Sequence, residues 1–526
     1  MLNRPTVVDE NGLRETQTAY DDVNRTVTVS KDLRTFGDAD LQSITSYDML
    51  GRVTRVQTSD GVTLSGSNGI KVDTSYVNLS GGHWVVTSTP YRTTSDPTLE
   101  WTCTLYDVMN RVTSVAMYTG TAAPTDCTSA TSRTGNTATS YDINSTGAVT
   151  TTTDPAGKAR NQYIDGMKRL VKVFEDPNGN NYETDYAYDV LDNLKTVTQG
   201  SQTRTFAYST LSRLTSAANP ESGTTSYTYF DDGNLYTRTD ARGYGVTYAY
   251  DDLKRVSTKT YSGDGGITPA VTYTYYTDTS PGIGQLQSVS STSSAASTTY
   301  GGYDALGRAG TETETIAGNS SAFTFNYTYY LNDAMASMQY PSGKQINYSV
   351  DNAGRPVKAA SASKTYVDLT ASGITTAYEP DGRIAQMQLG NGLYETHSYQ
   401  TPGTPTKLQL GTASSGSNVN NLLELEYDYS ATQNNGNLLQ HVIRQPGATL
   451  AQNYSYDFVN RLSAFCETTS SACTPGGSGT WGEQYNYDRY GNMGLTSSSL
   501  PTDANQVGNL RVRCDNEPNY CPGRRL

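Results

Sequence analysis

The chain has 526 residues, of which 41 are Tyr and 48 Gly, against 8 Phe, 3 Trp and 3 His. Tyr suits a pleated, half-buried surface and Gly supplies tight turns, so a β-rich chain with enough apolar residues to fold (35%) is expected, not a disordered one. A net charge of −13 repels phosphate backbones and argues against a nucleic-acid partner.

In chain order, the N-terminal MLNRPTVVDENG lacks a basic segment followed by an apolar run, so it does not read as a signal peptide. No run of apolar residues is long enough to span a membrane. One phrase then recurs: Tyr-Asp, a short variable stretch, Gly or Asn beside an Arg, and a β-branched or Leu residue. It opens as YDDVNRT from Tyr20 and is clearest as YDMLGRV, with Tyr47, Asp48, Gly51 and Arg52. After a long gap, in which a degenerate unit is expected, it returns as YDVMNRV, with Tyr106, Asp107 and Arg111. IDGMKRL around Asp165 leads into the cleanest stretch, with tyrosines at 188, 208, 229 and 250; here Tyr188 and Asp189, and Tyr250, Asp251 and Arg255, carry full phrases. YDALGRA follows (Tyr303, Asp304, Gly307, Arg308), then VDNAGRP, YEPDGRI, YDFVNRL (Tyr456, Asp457, Arg461) and YDRYGNM from Tyr487.

Each unit reads as a β-hairpin. VTYAY (246–250), VTYTY (271–275) and FTFNYTY (323–329) alternate strictly, which puts their rings on one face of a sheet. Asp then folds its carboxylate back on the backbone, and Gly or Asn adopts the left-handed turn conformation. A second class of turn separates the units: DPAG (154–157), DPNG (176–179), NPESG (219–223), DARG (240–243) and YPSG (340–343). Two strands and two turns in about 21 residues leave no room for a helix, and a lone hairpin is unstable, so the units must pair edge to edge. The expected fold is all-β: a continuous strip of antiparallel hairpins. Its expected extent is residues 1–500, with divergent repeats and long insertions over 1–100, the clearest repeats over 101–495, and an irregular tail over 501–526.

These phrases resemble the YD repeats of the Rhs family, found also in teneurins and in the C component of insecticidal toxin complexes. The resemblance covers roughly residues 15 to 495. It implies a strip that spirals into a curved or partly closed hollow shell, with stacked Tyr side chains. The function it implies is structural: the repeat region of a secreted or cell-surface protein that encloses or displays another polypeptide. Its partners would then be a polypeptide cargo or neighbouring domains of a larger protein. The rival reading is an adhesin that uses the outer face of the strip for glycans or cell-surface proteins. The self-cleaving core motif and variable cargo of fuller family members are not seen in the sequence.

The residues of the phrase are read as structural, with Tyr packing on the neighbouring unit, Asp capping, Gly turning, and Arg bonding carbonyls or the next unit's Asp. No enzyme is expected, because His83, His397 and His441 are isolated and no nucleophile elbow or phosphate loop occurs. No cofactor is expected, and no metal: the cysteines lack zinc spacing, and the Asp-rich turns GDAD (37–40), FDDGN (230–234) and DPNGNN (176–181) lack a calcium-loop spacing. The six cysteines fall into near pairs, Cys103 with Cys127, Cys466 with Cys473 and Cys514 with Cys521, which read as loop-closing disulfides in an oxidising compartment, or else as free thiols. After residue 509 the chain turns basic and loses the phrase, and a one-nucleotide shift of frame through Leu-Arg-Val-Arg-Cys can spell Tyr-Gly-Tyr-Asp. A slipped frame or a genuine short tail are the two readings of 510–526.

Overall fold

The computed structural model describes residues 6–499 apart from 11, 62, 66, 146, 278–281, 292–295, 320, 401–402, 470–472 and 475–480. Cys514, Cys521 and the rest of the tail therefore lie outside the described residues. The described residues form 39 β-strands in one sheet, and each strand pairs antiparallel with its neighbour in sequence, from Val7–Asp9 to Met493–Ser499. The sheet is not closed. The described residues contain no α-helix, only a 3-10 turn at Gly416–Asn418.

The period-2 pattern decides what each face carries. Across the strands the register sets Tyr186 beside Val197, Phe206 beside Ala217, Tyr227 beside Arg238 and Tyr248 beside Lys259, so one face is a band of rings and long side chains. The opposite face carries Thr and Ser in register: Thr196 with Thr205, Ser216 with Ser226, Thr228 with Thr237 and Thr274 with Ser288. Many of these pairs share a hydrogen bond, as between Thr274 and Ser288 (2.7 Å) and Thr313 and Thr324 (3.0 Å). Such cross-strand pairs are what stabilise a sheet that has no second layer.

The sheet thickens at one place. Trp84, Val86, Tyr91, Leu99, Trp101, Cys103, Ala116, Tyr118 and Cys127 form the larger buried cluster. Trp84 and Trp101 are 7% exposed and seal it. Trp481 instead meets Phe465 edge-on at 4.8 Å.

The two turn classes lie on opposite edges of the strip. Every Tyr-Asp turn connects an even-numbered strand to the next odd one, while DPAG, DPNG, NPESG, DARG and YPSG connect odd to even. The strip then coils until these edges meet. Leu331 N–H donates to the Leu33 carbonyl (3.0 Å), joining the loop after the third strand (Thr26–Lys31) to the turn after the twenty-sixth (Phe323–Tyr329). Arg489, after the thirty-eighth strand (Trp481–Tyr487), donates to the Glu183 carbonyl (2.6 Å) at the start of the fourteenth (Tyr182–Tyr188). One coil is therefore about 24 strands, and at about 4.8 Å per strand its circumference is about 115 Å and its diameter about 37 Å.

Candidate functional site: the repeat turn and the seam between coils

Asp304 shows the turn at its most complete. Its carboxylate accepts the backbone N–H groups of Leu306 and Arg308 (both 3.0 Å) and the Nε of Arg308 (2.8 Å). Asp48 with Arg52, Asp107 with Arg111, Asp251 with Arg255 and Asp457 with Arg461 repeat the Nε contact at 2.7 to 2.8 Å. At Asp189 the Arg is replaced by Asn193, whose Nδ2 reaches the same oxygen (3.0 Å). Backbone N–H donation from Arg52 holds the Asp48 carboxyl below the usual carboxylate range, with the guanidinium adding to it, and Arg111 does the same for Asp107. The turn closes through left-handed backbone: φ is +77° at Gly51 and at Gly307, and Asn110, Lys168, Ser212 and Lys254 adopt φ from 56° to 65° at the same place.

The Arg is therefore bound mainly by its own turn's Asp, and its remaining nitrogens reach the neighbour. Arg308 Nη1 donates to the Tyr330 carbonyl (2.6 Å), Arg255 Nη1 to Gly284 (2.8 Å) and Arg461 Nη1 to Asp488 (3.1 Å). The guanidinium also lies over a Tyr ring of the next unit: Arg52 over Tyr76 at 4.2 Å, Arg255 over Tyr275 at 4.0 Å, Arg308 over Tyr329 at 5.0 Å.

That Tyr reaches back in turn. Its hydroxyl donates to the carbonyl of the residue just after the preceding unit's turn: Tyr188 to Leu170 (2.8 Å), Tyr250 to Leu235 (2.9 Å), Tyr303 to Leu286 (2.7 Å), Tyr456 to Leu438 (2.8 Å). Each of these units is thus stapled to the one before it by a hydroxyl, and where the preceding turn carries an Arg, as Arg169 does for Tyr188 (5.1 Å), by a cation–π contact as well, together worth about 1–2 kcal/mol. Tyr106 departs from this by stacking on His83 at 4.6 Å. Other staples come from units that the phrase does not mark in full, as where Tyr399 bonds the Ile384 carbonyl (2.9 Å). Tyr76 bonds the Val53 carbonyl (3.0 Å) from a unit with no Asp after its Tyr, and so fills the gap between Tyr47 and Tyr106. Tyr141 bonds the Val112 carbonyl (2.9 Å) from the phrase YDINSTG, whose hairpin lacks the Arg.

The second constellation is the seam, and nothing periodic in the sequence marks it. Asp60, in the first coil, pairs with Arg92 beside it and with Arg355 Nη1 of the second coil (2.9 Å). Arg92 also donates to the Tyr378 carbonyl (2.9 Å), and Asn352 to the Gly61 carbonyl (3.2 Å). Although burial works against it, Arg92 and then Arg355 hold the Asp60 carboxyl below its ordinary value. Further along, Arg34 bonds the Val350 carbonyl (2.9 Å), Lys158 the Asp457 carbonyl (2.9 Å), and Asp154 accepts from Asn435 (3.1 Å) and Asn460 (3.0 Å). Leu33, 0% exposed, sits beneath this contact.

Among the described residues, four cysteines close two loops. Cys103 and Cys127 are bonded with Cα atoms 5.8 Å apart, and Cys466 and Cys473 with Cα atoms 6.2 Å apart. The Asp-rich turns spend their oxygens on backbone: Asp38 accepts from Leu33, Arg34 and Thr35, and Asp176 from Asn180. No group of His, Cys, Asp and Glu able to hold a metal occurs among the described residues. The three histidines are far apart in use: His83 on Tyr106, His397 on Glu395 (2.7 Å), and His441 stacked on Tyr427 at 4.7 Å. No described helix is long and apolar enough to cross a membrane.

No family model matches the sequence, and no curated protein does. Solved structures do. The Photorhabdus luminescens Tc holotoxin pore aligns with a TM-score of 0.68 at 13% identity over 90% of this chain and 26% of that chain. The TcdB2–TccC3–Cdc42 structure aligns at 0.67 and 13% over 91% and 27%, and TcdB2–TccC3–TEV at 0.66 and 12% over 92% and 27%. The chain spans about a quarter of the length of those toxin chains. Those structures share the fold of this chain over nine-tenths of its length, and with its repeated Tyr-Asp phrase and strip of hairpins the chain has the fold of an Rhs-type YD-repeat shell.

Proposed function

We propose that the chain is a wall: a segment of a shell that encloses or displays another polypeptide, in a secreted or surface-exposed protein. The observation that carries this is the seam, where the edge of one coil is bonded to the edge of the next so that the strip becomes a continuous surface around a space. Allowing about 5–6 Å of side chain on each side of the backbone, a coil of this circumference leaves a lumen about 25 Å across. A polypeptide held there is screened from proteases and from its target without any chemistry by the wall. Disulfides at Cys103–Cys127 and Cys466–Cys473 suit an oxidising compartment.

The test is protection. A small tagged polypeptide fused after residue 526 is expected to resist proteinase K in the intact protein and to be cut once the seam is broken by Asp60→Lys. Equal cleavage in both contradicts the wall. The adhesin reading would draw on the exposed aromatics Phe230, Tyr236 and Tyr244, and binding of a glycan lost on their replacement would favour it.

A further inference from the structure

The seam uses only part of each edge. The Tyr-Asp turns after residue 330 rest on the first coil, and at three of them the second residue past the Asp position is half-buried: Ala353, Val459 and Tyr490. The Tyr-Asp turns of the first coil present the same position to solvent: Leu50 is 77% exposed, Met109 68%, Met167 63%, Leu191 55%, Leu211 68% and Leu253 72%. The preceding position is open too, with Met49 at 87% and Val190 at 98%. From Met167 to Leu211 these side chains lie at successive turns about 10 Å apart, and Leu50, Met109 and Leu253 extend the apolar rim, which Asp232 interrupts. It is an edge of the class that the seam covers, it carries more apolar residues there than the covered edge does, and it is uncovered.

The chain also presents the opposite edge. On this edge of the second coil the Pro-Gly turns at 341–343 and 446–447 and the Gly-Asn-Gly turn at 390–392 are exposed. They belong to the class that covers Tyr-Asp turns within the seam. Lys158 shows how a member of that class works: in DPAGK it donates to the Asp457 carbonyl (2.9 Å) and lies 4.8 Å over the Phe458 ring of a Tyr-Asp turn. Lys344 holds the same place in YPSGK on the free edge, where it stands 4.7 Å over Tyr366 of its own strip.

We propose that the exposed Tyr-Asp rim of the first coil is a docking surface for a second copy of this chain, which seats its second-coil Pro-Gly edge on it. The contact repeats the internal seam between molecules and continues its coil. It is heterologous, so each added copy leaves one edge of each class open, and the assembly grows as a stack rather than stopping at a symmetric dimer. This does not depend on what the shell encloses.

Sedimentation velocity of the full chain from about 1 to about 100 μM is the test. The wild type is expected to pass from a 56.8 kDa monomer to dimers and longer stacks. The triple substitution Leu50→Glu, Met109→Glu and Leu191→Glu is expected to hold it monomeric, with far-UV circular dichroism unchanged because all three side chains are at the surface. Lys344→Glu, on the opposite edge, is expected to weaken assembly as well. Mixing the two variants is expected to restore a one-to-one dimer and nothing larger, since each lacks a different edge. A wild type that stays monomeric throughout, a triple variant that still stacks, or variants that fail to complement would overturn the proposal.

Discussion

At the scale of residues, the hydroxyl and the ring of each stapling Tyr make separable contributions. Tyr329 donates to the Ala309 carbonyl (3.0 Å) while its ring lies under Arg308. Tyr329→Phe removes only the hydroxyl and is expected to cost about 0.5–1.5 kcal/mol, whereas Tyr329→Ala also removes the ring and is expected to cost about 2–4 kcal/mol. Urea denaturation separates the two. The turn carboxylates and the tyrosines also set a pH window. A carboxyl held low in the fold, as at Asp48 and Asp107, contributes stability that is complete above its unfolded pKa, near 4, and is lost as pH falls through the folded value. Tyrosines run the other way. Burial, and then a bond to Glu312, pushes Tyr327 up to about 12, and burial with Asp73 does the same for Tyr91. Their contribution is complete below about 10 and lost as pH rises toward the folded value. Thermal melts are expected to be level between about pH 5 and 9 and to fall on both sides.

At the scale of elements, two devices hold the strip where hairpins alone do not. The bridge from Cys103 to Cys127 closes a separation of 24 residues inside the thickest cluster, where both cysteines are buried. Replacing both with Ala is expected to cost about 3 kcal/mol, chiefly through the freed loop, and non-reducing melts measure it. Exchange protection should fall around residues 84–136 and be retained beyond the adjoining units, since a repeat array couples mainly to its neighbours. Asp60 acts between coils rather than along one. Asp60→Asn leaves Arg92 and Arg355 without their shared carboxylate and is expected to cost about 1–3 kcal/mol, moderated by partial exposure. Hydrogen exchange should rise at residues 58–61 and at 352–355 together, although about 290 residues separate them.

At the scale of the whole molecule, legibility followed locality. The Tyr-Asp turn was readable because Asp304 and Arg308 meet within five residues, and the strand faces because VTYAY and FTFNYTY alternate. The degenerate unit expected between Tyr47 and Tyr106 could not be placed on Tyr76, because no Asp follows that Tyr, although its ring and hydroxyl do the same work. The seam was not readable at all. The partner of Asp60 is set by how many strands one coil takes, and that number comes from accumulated twist and curvature, not from any short phrase. The coil is also the claim on which the rest stands, and small-angle X-ray scattering tests it directly, on the monomer at high dilution. At about 24 strands per coil the 39 strands make about one and a half stacked coils, a hollow particle about 80 Å in greatest dimension with a pair-distance function depleted at its centre. An uncoiled ribbon of 39 strands would instead reach about 190 Å, and that length would contradict the account.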